Sequence, residues 1–329
     1  MAPMSFDEPT LREAEANAMN RGKYRPHFDW RLRTRRLALG EQTRLMAIIN
    51  LTPDSFSGDG MMSSSAHRPI SVAAGAKLAV ATAVEAVDRG ADIIDLGAES
   101  TRPNAMPISA EEEQMRLMPV LERLLIERPG AVVSVDTYHA ATARAAARAG
   151  AEIINDVSGL RWDESMAEVV AQTGCGLVLM HTRGRPGEWQ SKPRMGNGEV
   201  VPAVFAGLCE QMVEAEAVGI GTERIIIDPG FGFGKRGGEN FALLAGLSRL
   251  RELGRPLLIG LSRKGFLGDA VQPVQYQDLA LAESRRIATV AANVAAILAG
   301  AHVLRVHDLQ AAREAAVVAD AVLSASVKE

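Results

Sequence analysis

The chain of 329 residues is poor in several features that mark particular classes of protein. It has two cysteines, Cys175 and Cys209, too few for a disulfide framework or a cysteine-ligated metal site, and we expect both to be reduced thiols. Aromatic residues make up only 4% of the chain, which disfavours a base-stacking platform for nucleic acid. The formal net charge of -4 likewise gives no reason to expect a nucleic-acid partner.

Long apolar stretches are also missing. No segment approaches the roughly 18 uninterrupted apolar residues that a membrane span needs. Residues 1–9 have neither the basic start nor the apolar centre of a secretory signal. We therefore expect a cytoplasmic protein with no membrane partner.

Hydrophobic residues, at 47%, are enough for a sizeable core, and they are grouped in short runs that each end on a polar residue. Between these runs lie Ala-rich segments with helical spacing, such as 140–149 and 279–299. Short apolar runs between helices are typical of parallel strands that are buried on both faces. About eight strand–helix units predict an α/β fold, a single (β/α)8 TIM barrel. The runs are 45–50, 93–95, 132–136, 153–156, 177–181, 225–228, 257–264 and 303–307.

Local signals mark the ends of several predicted helices. Gly90, Gly150 and Gly300 each precede an alanine and an apolar run, as expected where a helix ends in a left-handed residue before a strand. Ser109 and Glu112 have the spacing of a capping box, which predicts a helix from Ser109 to Arg128.

Residues 1–43 differ from the rest and form a predicted N-terminal extension, followed by the barrel over 44–329. Their second half, residues 21–36, is strongly basic. This segment can be a docking segment or a lid, but we favour an extension packed across the barrel floor and anchored by Phe28 and Trp30.

Three connections after predicted strands are long, namely 52–72, 101–109 and 182–198. Long loops in a compact domain are usually functional. All three fall on the predicted active face, so we expect them to cover the substrate, although plain surface insertions remain the alternative.

The polar residues at the strand ends should meet in one cup, because the carboxyl ends of parallel barrel strands share one face. Acceptors at its centre suit a flat heterocycle with adjacent N–H donors, such as a 2-amino-4-oxo pyrimidine edge. At the last strand the alternation of side chains places two basic residues on one side, as an anion site. The set is Asn50, Asp95, Asp136, Asn155, Asp228, Lys264, Arg305 and His307.

Two further strings are informative. Residues 262–265 follow an apolar run and should open a helix whose N–H groups can meet an anion. In the glycine-rich turn 228–235 the glycines allow close approach of a ligand, and Phe233 should wall the pocket. The turn lacks P-loop spacing, which disfavours the binding of nucleoside triphosphates. We expect no Ser-His-Asp or Cys-His arrangement at the strand ends.

These strings, taken together and in order from about residue 44 to 308, resemble dihydropteroate synthase, the pterin-binding barrel family of folate synthesis. The resemblance does not cover residues 1–43. The matching strings are Ile49–Ser57, Ile94–Pro103, Ser134–Thr137, Ile154–Asp156, Leu179–His181, Asp228–Lys235, Ser262–Lys264 and Arg305–His307.

The resemblance implies condensation of 6-hydroxymethyl-7,8-dihydropterin pyrophosphate with 4-aminobenzoate, giving 7,8-dihydropteroate and pyrophosphate. Pyrophosphate would leave first, generating a pterin-methyl cation that the amine attacks. Asn50 would bind pyrophosphate through Mg²⁺, a hard cation suited to oxygen ligands. The catalytic residues implied are Lys264, Asp228, Asp136, Asn155, Arg305 and His307, and the substrate-binding residues are Thr101, Arg102, Met180, Gly260, Phe233, Phe56, Ser262 and Arg263.

The chain departs from the family pattern at two positions. The first loop reads Ser-Gly-Asp-Gly over 57–60 where many relatives have Ser-Asp-Gly-Gly, so the acidic residue, Asp59, is displaced by one position. Gly265 stands where several relatives carry a serine that can bond the aminobenzoate carboxylate. Because no extra residue interrupts 228–235, we expect ordinary sulfonamide sensitivity.

Two other functions remain open at this point. A pterin-dependent methyltransferase uses the same barrel but needs neither a pyrophosphate site nor the lysine-led helix. A non-catalytic pterin-binding paralogue would have lost anion or loop residues. The resemblance also implies a homodimer formed through late helices, and the apolar segment 290–299 suits either such an interface or packing against the sheet.

Overall fold

The computed structural model describes residues 25–52, 72–100, 106–274 and 281–326. Within them a hairpin of β1 (Phe28–Arg31) and β2 (Arg36–Leu39) precedes a series of parallel strands, each followed by a helical connection. These strands are β3 (Arg44–Asn50), β4 (Ile93–Gly97), β5 (Val133–Asp136), β6 (Ile153–Asp156), β7 (Gly176–Met180), β8 (Ile225–Asp228), β9 (Leu258–Ile259) and β10 (Val303–Val306).

The helices lie between these strands and after the last one. Short 3-10 helices at Pro186–Glu188, Thr222–Arg224, Leu247–Leu253 and Gln272–Val274 supplement them. The α-helices are α1 (Val72–Asp88), α2 (Ala110–Glu127), α3 (Ala140–Ala149), α4 (Met166–Thr173), α5 (Asn197–Ala217), α6 (Gly238–Ala245), α7 (Gly265–Val271), α8 (Leu281–Leu298) and α9 (Leu309–Ser326).

The parallel strands form a barrel. Their order is β8-β7-β6-β5-β4-β3-β10-β9, and a parallel bridge between Ile227 and Leu257 joins the two outer strands. Each of the eight apolar runs in the sequence overlaps one of these strands, so the predicted (β/α)8 fold is confirmed. The run 257–264 contributes only the two residues of β9, and its remainder forms the turn into α7.

The predicted helix ends are also confirmed. Gly90, Gly150 and Gly300 all have positive φ angles, of 83°, 115° and 108°, as a left-handed residue after a helix requires. The hydroxyl of Ser109 accepts a hydrogen bond from the backbone N–H of Glu112 and caps α2.

The β1–β2 hairpin covers the amino-terminal end of the barrel. Trp30 is 1% exposed and packs, with Leu32 and Leu39, against apolar residues at the starts of the strands, and Phe28 lies against the same cluster. The indole N–H of Trp30 donates to the carbonyl of Arg224 at 2.7 Å. This packing across the barrel floor is the arrangement that we favoured, and residues 1–24 lie outside the described part.

Arginines of the hairpin form ion pairs, two with the barrel and one within the hairpin. Arg35 pairs with buried Glu152, Arg36 pairs with Asp29, and Arg31 reaches Glu223.

Two other predictions can be compared with the structure. Neither Cys175 nor Cys209 forms a disulfide. None of the helices in the described ranges combines the length and apolar character needed to span a bilayer.

Candidate active site

The carboxyl ends of the barrel strands surround a cavity of about 1030 Å³. Most of the residues proposed from the sequence line it. Asp136 does not line the cavity, but it accepts a hydrogen bond from Arg305, which does line it. Thr101, Arg102 and Phe56 fall outside the described residues. The predicted residues that do line the cavity are Asn50, Asn155, Met180, Asp228, Phe233, Gly260, Ser262, Arg263, Lys264, Arg305 and His307.

At the bottom of the cavity Arg305 lies between two carboxylates. Its Nε donates to Oδ2 of Asp95 at 2.7 Å, and its Nη2 donates to Oδ2 of Asp136 at 2.6 Å. The amide N–H of Asn155 donates to the same Asp95 oxygen at 3.2 Å. Asp95 is fully buried, while the side chains of Arg305 and Asp136 are 21% and 17% exposed. The sequence placed Arg305 with His307 in an anion site, whereas the structure already engages its guanidinium with two carboxylates from β4 and β5.

Burial dominates the protonation of Asp136. Loss of solvent is the main cause that raises its pKa to about 7, with Arg305 opposing the rise and the nearby Asp95 adding to it. Asp228 follows the same rule, because burial raises its pKa while the N–H of Gly230 and the ammonium of Lys264 lower it.

Asp228 begins the glycine-rich turn. Its Oδ1 accepts the N–H of Gly230 at 2.7 Å, and Gly230 has a φ of 68°. A side chain at Gly230 is impossible because a Cβ there would lie 2.0 Å from the carbonyl oxygen of His181. Asn240 holds the other side of the turn, accepting the N–H of Gly232 at 2.7 Å and donating to the carbonyl of Lys235 at 2.9 Å.

Lys235, at the end of this turn, is a site residue that the sequence argument missed. It is 2% exposed, and its ammonium donates to the carbonyls of His181, Gly230 and Phe233 at 3.1, 2.8 and 3.3 Å. Burial lowers its pKa to about 7, against the raising effect of Asp228. A lysine among glycines is usually exposed, so only its position at the end of the string could have indicated this role.

Lys264 enters the cavity from the turn before α7. Its Nζ lies 4.4 Å from the centre of the Phe233 ring, a cation–π distance. Burial lowers the pKa of Lys264 to about 8, with Asp228 opposing the shift. The preceding residue, Arg263, has a φ of 58°, an uncommon conformation for a side chain other than glycine, so the turn is held by its surroundings.

His307 and Ser262 lie together at another part of the wall. Nδ1 of His307 is 3.0 Å from Oγ of Ser262, which also accepts the His307 backbone N–H at 3.2 Å. This serine–histidine contact was not predicted from the sequence, which led us to expect no Ser-His-Asp arrangement. The other ring nitrogen, Nε2, lies 3.5 Å from the amide nitrogen of Asn50.

The described residues contain no group of three or more His, Cys, Asp or Glu that could hold a metal. Asn50 is exposed at the end of β3 and offers one amide oxygen. Mg²⁺ commonly takes few protein ligands and completes its shell with water and substrate phosphates, so a single Asn oxygen fits it in that mode.

The outer wall includes residues that were not named from the sequence, although the loop 182–198 was predicted to cover the substrate. The loop 182–198 contributes Trp189 and Arg194 to it, and Glu99 extends from the end of β4, held by the hydroxyl of Tyr138 at 2.6 Å. Cations outnumber acids in the described lining, which favours anionic ligands. The cations are Arg194, Lys235, Arg236, Arg263, Lys264 and Arg305, and the acids are Glu99, Asp228 and Asp269.

Comparison with known proteins gives a consistent set of similarities. The family model described as "Pterin binding enzyme" matches residues 46–307. The dihydropteroate synthase of Escherichia coli K12 is 39% identical over 282 residues, which cover 85% of this chain and 92% of that protein. The mitochondrial folate synthesis bifunctional protein of Pisum sativum is 41% identical over 293 residues, 86% of this chain. The chain spans only 54% of that plant protein, about half its length.

Among solved structures, the dihydropteroate synthase of Xanthomonas albilineans with 4-aminobenzoic acid superimposes with a TM-score of 0.75 at 39% identity. The match covers 91% of this chain and 98% of that one. The similarity therefore extends across the barrel and the strand ends that form the cavity.

Proposed function

The chain belongs to the dihydropteroate synthase family of pterin-binding enzymes, and from this we propose that it condenses 6-hydroxymethyl-7,8-dihydropterin pyrophosphate with 4-aminobenzoate. The products would be 7,8-dihydropteroate and pyrophosphate. The observation that carries the proposal is the convergence of Asn155, Asp228, Lys264 and Arg305 on one cavity whose wall is rich in cations.

The buried end of the cavity suits the pterin ring. A carboxylate can accept two adjacent N–H donors of a 2-amino-4-oxo pyrimidine edge, and each carboxylate has about four acceptor sites. Asp228 uses one of its oxygens on Gly230, which leaves acceptor capacity directed at the cavity that it lines. Lys264 would donate to a ring oxygen or nitrogen. Met180 and Gly260 would line the faces of the slot.

The pyrophosphate would lie nearer the mouth, against His307, Ser262 and Asn50. The serine hydroxyl keeps the imidazole of His307 in one orientation. Asn50 would hold Mg²⁺, whose charge, when bound, offsets that of the departing pyrophosphate. Arg305 lines the same cavity, with its guanidinium held by Asp95 and Asp136.

The aromatic amine would stack against Phe233, with its carboxylate toward the start of α7. The bond from the pterin methylene carbon to the pyrophosphate oxygen breaks first, and the amine nitrogen then forms a bond to that carbon. The amine then loses a proton. No side chain acts as a nucleophile, so the enzyme's contribution is to position both substrates and stabilise developing charge.

Sulfonamide sensitivity is part of the same proposal. A sulfonamide carries an aromatic amine and an acidic group of similar shape to aminobenzoate. The turn 228–235 that holds Phe233 has no inserted residue. Competitive inhibition against 4-aminobenzoate, measured at fixed pterin concentration, tests it, and growth of a complemented strain in sulfonamide would contradict it.

We also propose that the chain forms a homodimer through α8 and α9. Segment 290–299 itself packs largely inward, since Ala296 and Ile297 are fully buried. Apolar side chains that are half exposed or more lie elsewhere on these helices, at Ile287, Val317, Val318 and Val322. Analytical ultracentrifugation of the wild type and of Val318→Asp tests the assignment, because a charge in a dimer interface should yield monomers.

The experiment for the main proposal is detection of 7,8-dihydropteroate by mass spectrometry after incubation with both substrates and Mg²⁺. Asp228→Asn keeps the shape of the side chain but removes the charge that accepts the pterin N–H groups. It should lower kcat/KM for the pterin substrate by a factor of about 100 or more, a loss of roughly 3 kcal/mol of transition-state stabilisation. Absence of product with wild-type protein would contradict the proposal.

A further inference from the structure

Trp189 is a residue of the cavity wall that was not predicted from the sequence. It lies in the loop that follows β7, is 6% exposed, and lines the cavity. Its indole meets the ring of Phe233 edge-on, with ring centres 5.2 Å apart and planes at 75°. This is a favoured arrangement for an aromatic pair.

Phe233 is in turn the ring over which Lys264 places its ammonium, at 4.4 Å from the ring centre. The phenyl ring thus has the indole on one side and the ammonium on another. A change in the tilt of Phe233 would weaken both contacts at once, because each depends on ring orientation. The position of Phe233 is therefore set by Trp189 and Lys264 together.

The indole itself is held firmly. Its Nε1 donates to the carbonyl of Gly184 at 2.9 Å. The guanidinium of Arg236 donates to the carbonyls of Gln190 and Lys192, which follow Trp189 in the chain, at 3.0 and 2.6 Å. The first bond holds the indole within the loop 182–198, and the Arg236 bonds fasten the part of the loop that follows the tryptophan to the end of the glycine-rich turn.

Gly234 provides the space for this contact. It has a φ of 73°, and a Cβ at this position would lie 2.6 Å from Cβ of Arg183 and 3.1 Å from Cδ1 of Trp189. Arg183 also donates to the carbonyl of Gly234 at 3.2 Å. The loop and the turn therefore approach as closely as backbone allows.

We propose that Trp189 is a positioning residue of the amine subsite, acting through Phe233 to set the width of the slot for the aromatic ring. The inference rests on the proposed function. Without the indole, Phe233 can tilt into the vacated space and loses its fixed relation to the amine. The pterin end is held by other contacts, between Asn155 and Asp95 and between Asp228 and Gly230, and keeps its geometry.

Steady-state kinetics on Trp189→Leu and Trp189→Phe tests this proposal. Leucine keeps apolar volume but removes the ring edge, so KM for 4-aminobenzoate should rise about tenfold, the upper range for loss of an aromatic pair. Phenylalanine keeps an edge and should limit the rise to about threefold. KM for the dihydropterin pyrophosphate should stay within about twofold in both variants.

Phe28→Leu is the matched control. Phe28 also packs edge-on against a ring, that of His302 at 5.2 Å, but it lies on the barrel floor and does not line the cavity. Its replacement should leave both KM values within about twofold of wild type.

A double-mutant cycle with Phe233→Leu separates positioning from general loosening. If Trp189 acts through Phe233, Trp189→Leu should have little further effect on KM for the amine in the Phe233→Leu background. The Trp189→Phe variant serves the same cycle if the leucine variant does not fold. An unchanged amine KM, equal rises in both KM values, or full additivity in the cycle would overturn the proposal. Wild-type protein that makes no product would instead refute the proposed function.

Discussion

Nη2 of Arg305 lies 2.6 Å from Oδ2 of Asp136, and the same guanidinium reaches fully buried Asp95. Removing one partner of a buried ion pair leaves an uncompensated charge, which is strongly destabilising. We expect Arg305→Met to lower the free energy of unfolding by about 3 kcal/mol in urea denaturation. Asp95→Asn combined with it should restore part of that loss. Stability equal to wild type in the single variant would contradict this reading of the cluster.

The pH dependence of kcat/KM for the pterin substrate should be bell-shaped, because it reports groups of the free enzyme. Burial raises the pKa of Asp136 to about 7, so its carboxylate forms, and activity rises, as pH increases through that value. Burial lowers the pKa of Lys264 to about 8, so its positive charge, and the activity, fall above that value.

Lys264→Arg assigns the alkaline limb of this profile. A guanidinium stays charged throughout this range. The kcat/KM of the variant should therefore no longer fall above about pH 8, whatever its absolute value, and the acid limb of the profile should remain. An alkaline limb that persists in the variant would point to another group, such as Lys235, whose pKa burial lowers to about 7.

Gly265 leaves room for a side chain. A Cβ at this position meets no atom within 4 Å, and the residue has no left-handed φ that a side chain would strain. Gly265→Ser should lower KM for 4-aminobenzoate by about fivefold, the worth of one hydrogen bond of about 1 kcal/mol to the carboxylate. Gly265→Ala adds the Cβ without the hydroxyl and should leave KM near the wild-type value. Equal effects of the two variants would show that the hydroxyl is not the cause.

His302 couples the stability of the barrel floor to pH. Its Nδ1 accepts the N–H of Leu257 at 3.1 Å, so Nε2 carries the hydrogen and donates to the carbonyl of Pro26 at 2.9 Å. Burial lowers its pKa from 6.5 to about 4, so the unfolded chain takes up a proton first as pH falls. The stabilisation of the folded state by neutral His302 is complete above about pH 6.5. About 3 kcal/mol of it is lost as the pH falls to about 4.

A variant isolates this contribution from that of other groups. The difference in unfolding free energy between wild type and His302→Gln should shrink by about 3 kcal/mol between pH 6.5 and 4, because contributions shared by both proteins cancel. A difference that does not vary with pH would show that His302 is not the titrating group.

The fold was predictable from the sequence because its signals are local. Each apolar run became a strand, and Gly90, Gly150 and Gly300 ended helices as their position indicates. The convergence of polar strand ends followed from topology alone, since all parallel strands present their carboxyl ends to one face.

The partners of individual side chains were not predictable in the same way. Arg305 bonds Asp95 and Asp136, which lie 210 and 169 residues away on other strands, and strand periodicity gives only the face on which a side chain lies. Lys235 and Trp189 lie in loops, where no periodicity applies, and their burial depends on a close contact between two loops. The Ser262–His307 pair was missed for a similar reason, because it joins β10 to the turn after β9.

Pyrophosphate release from purified protein, given the dihydropterin pyrophosphate and Mg²⁺ with and without 4-aminobenzoate, tests the central claim most directly. We expect release that depends on aminobenzoate and falls by a factor of about 100 or more in Lys264→Ala, which removes the ammonium held over Phe233. Such a result would also show that Asp59 and Gly265 are compatible with turnover. Protein that binds the pterin substrate but releases no pyrophosphate would contradict the account and favour a non-catalytic pterin-binding role.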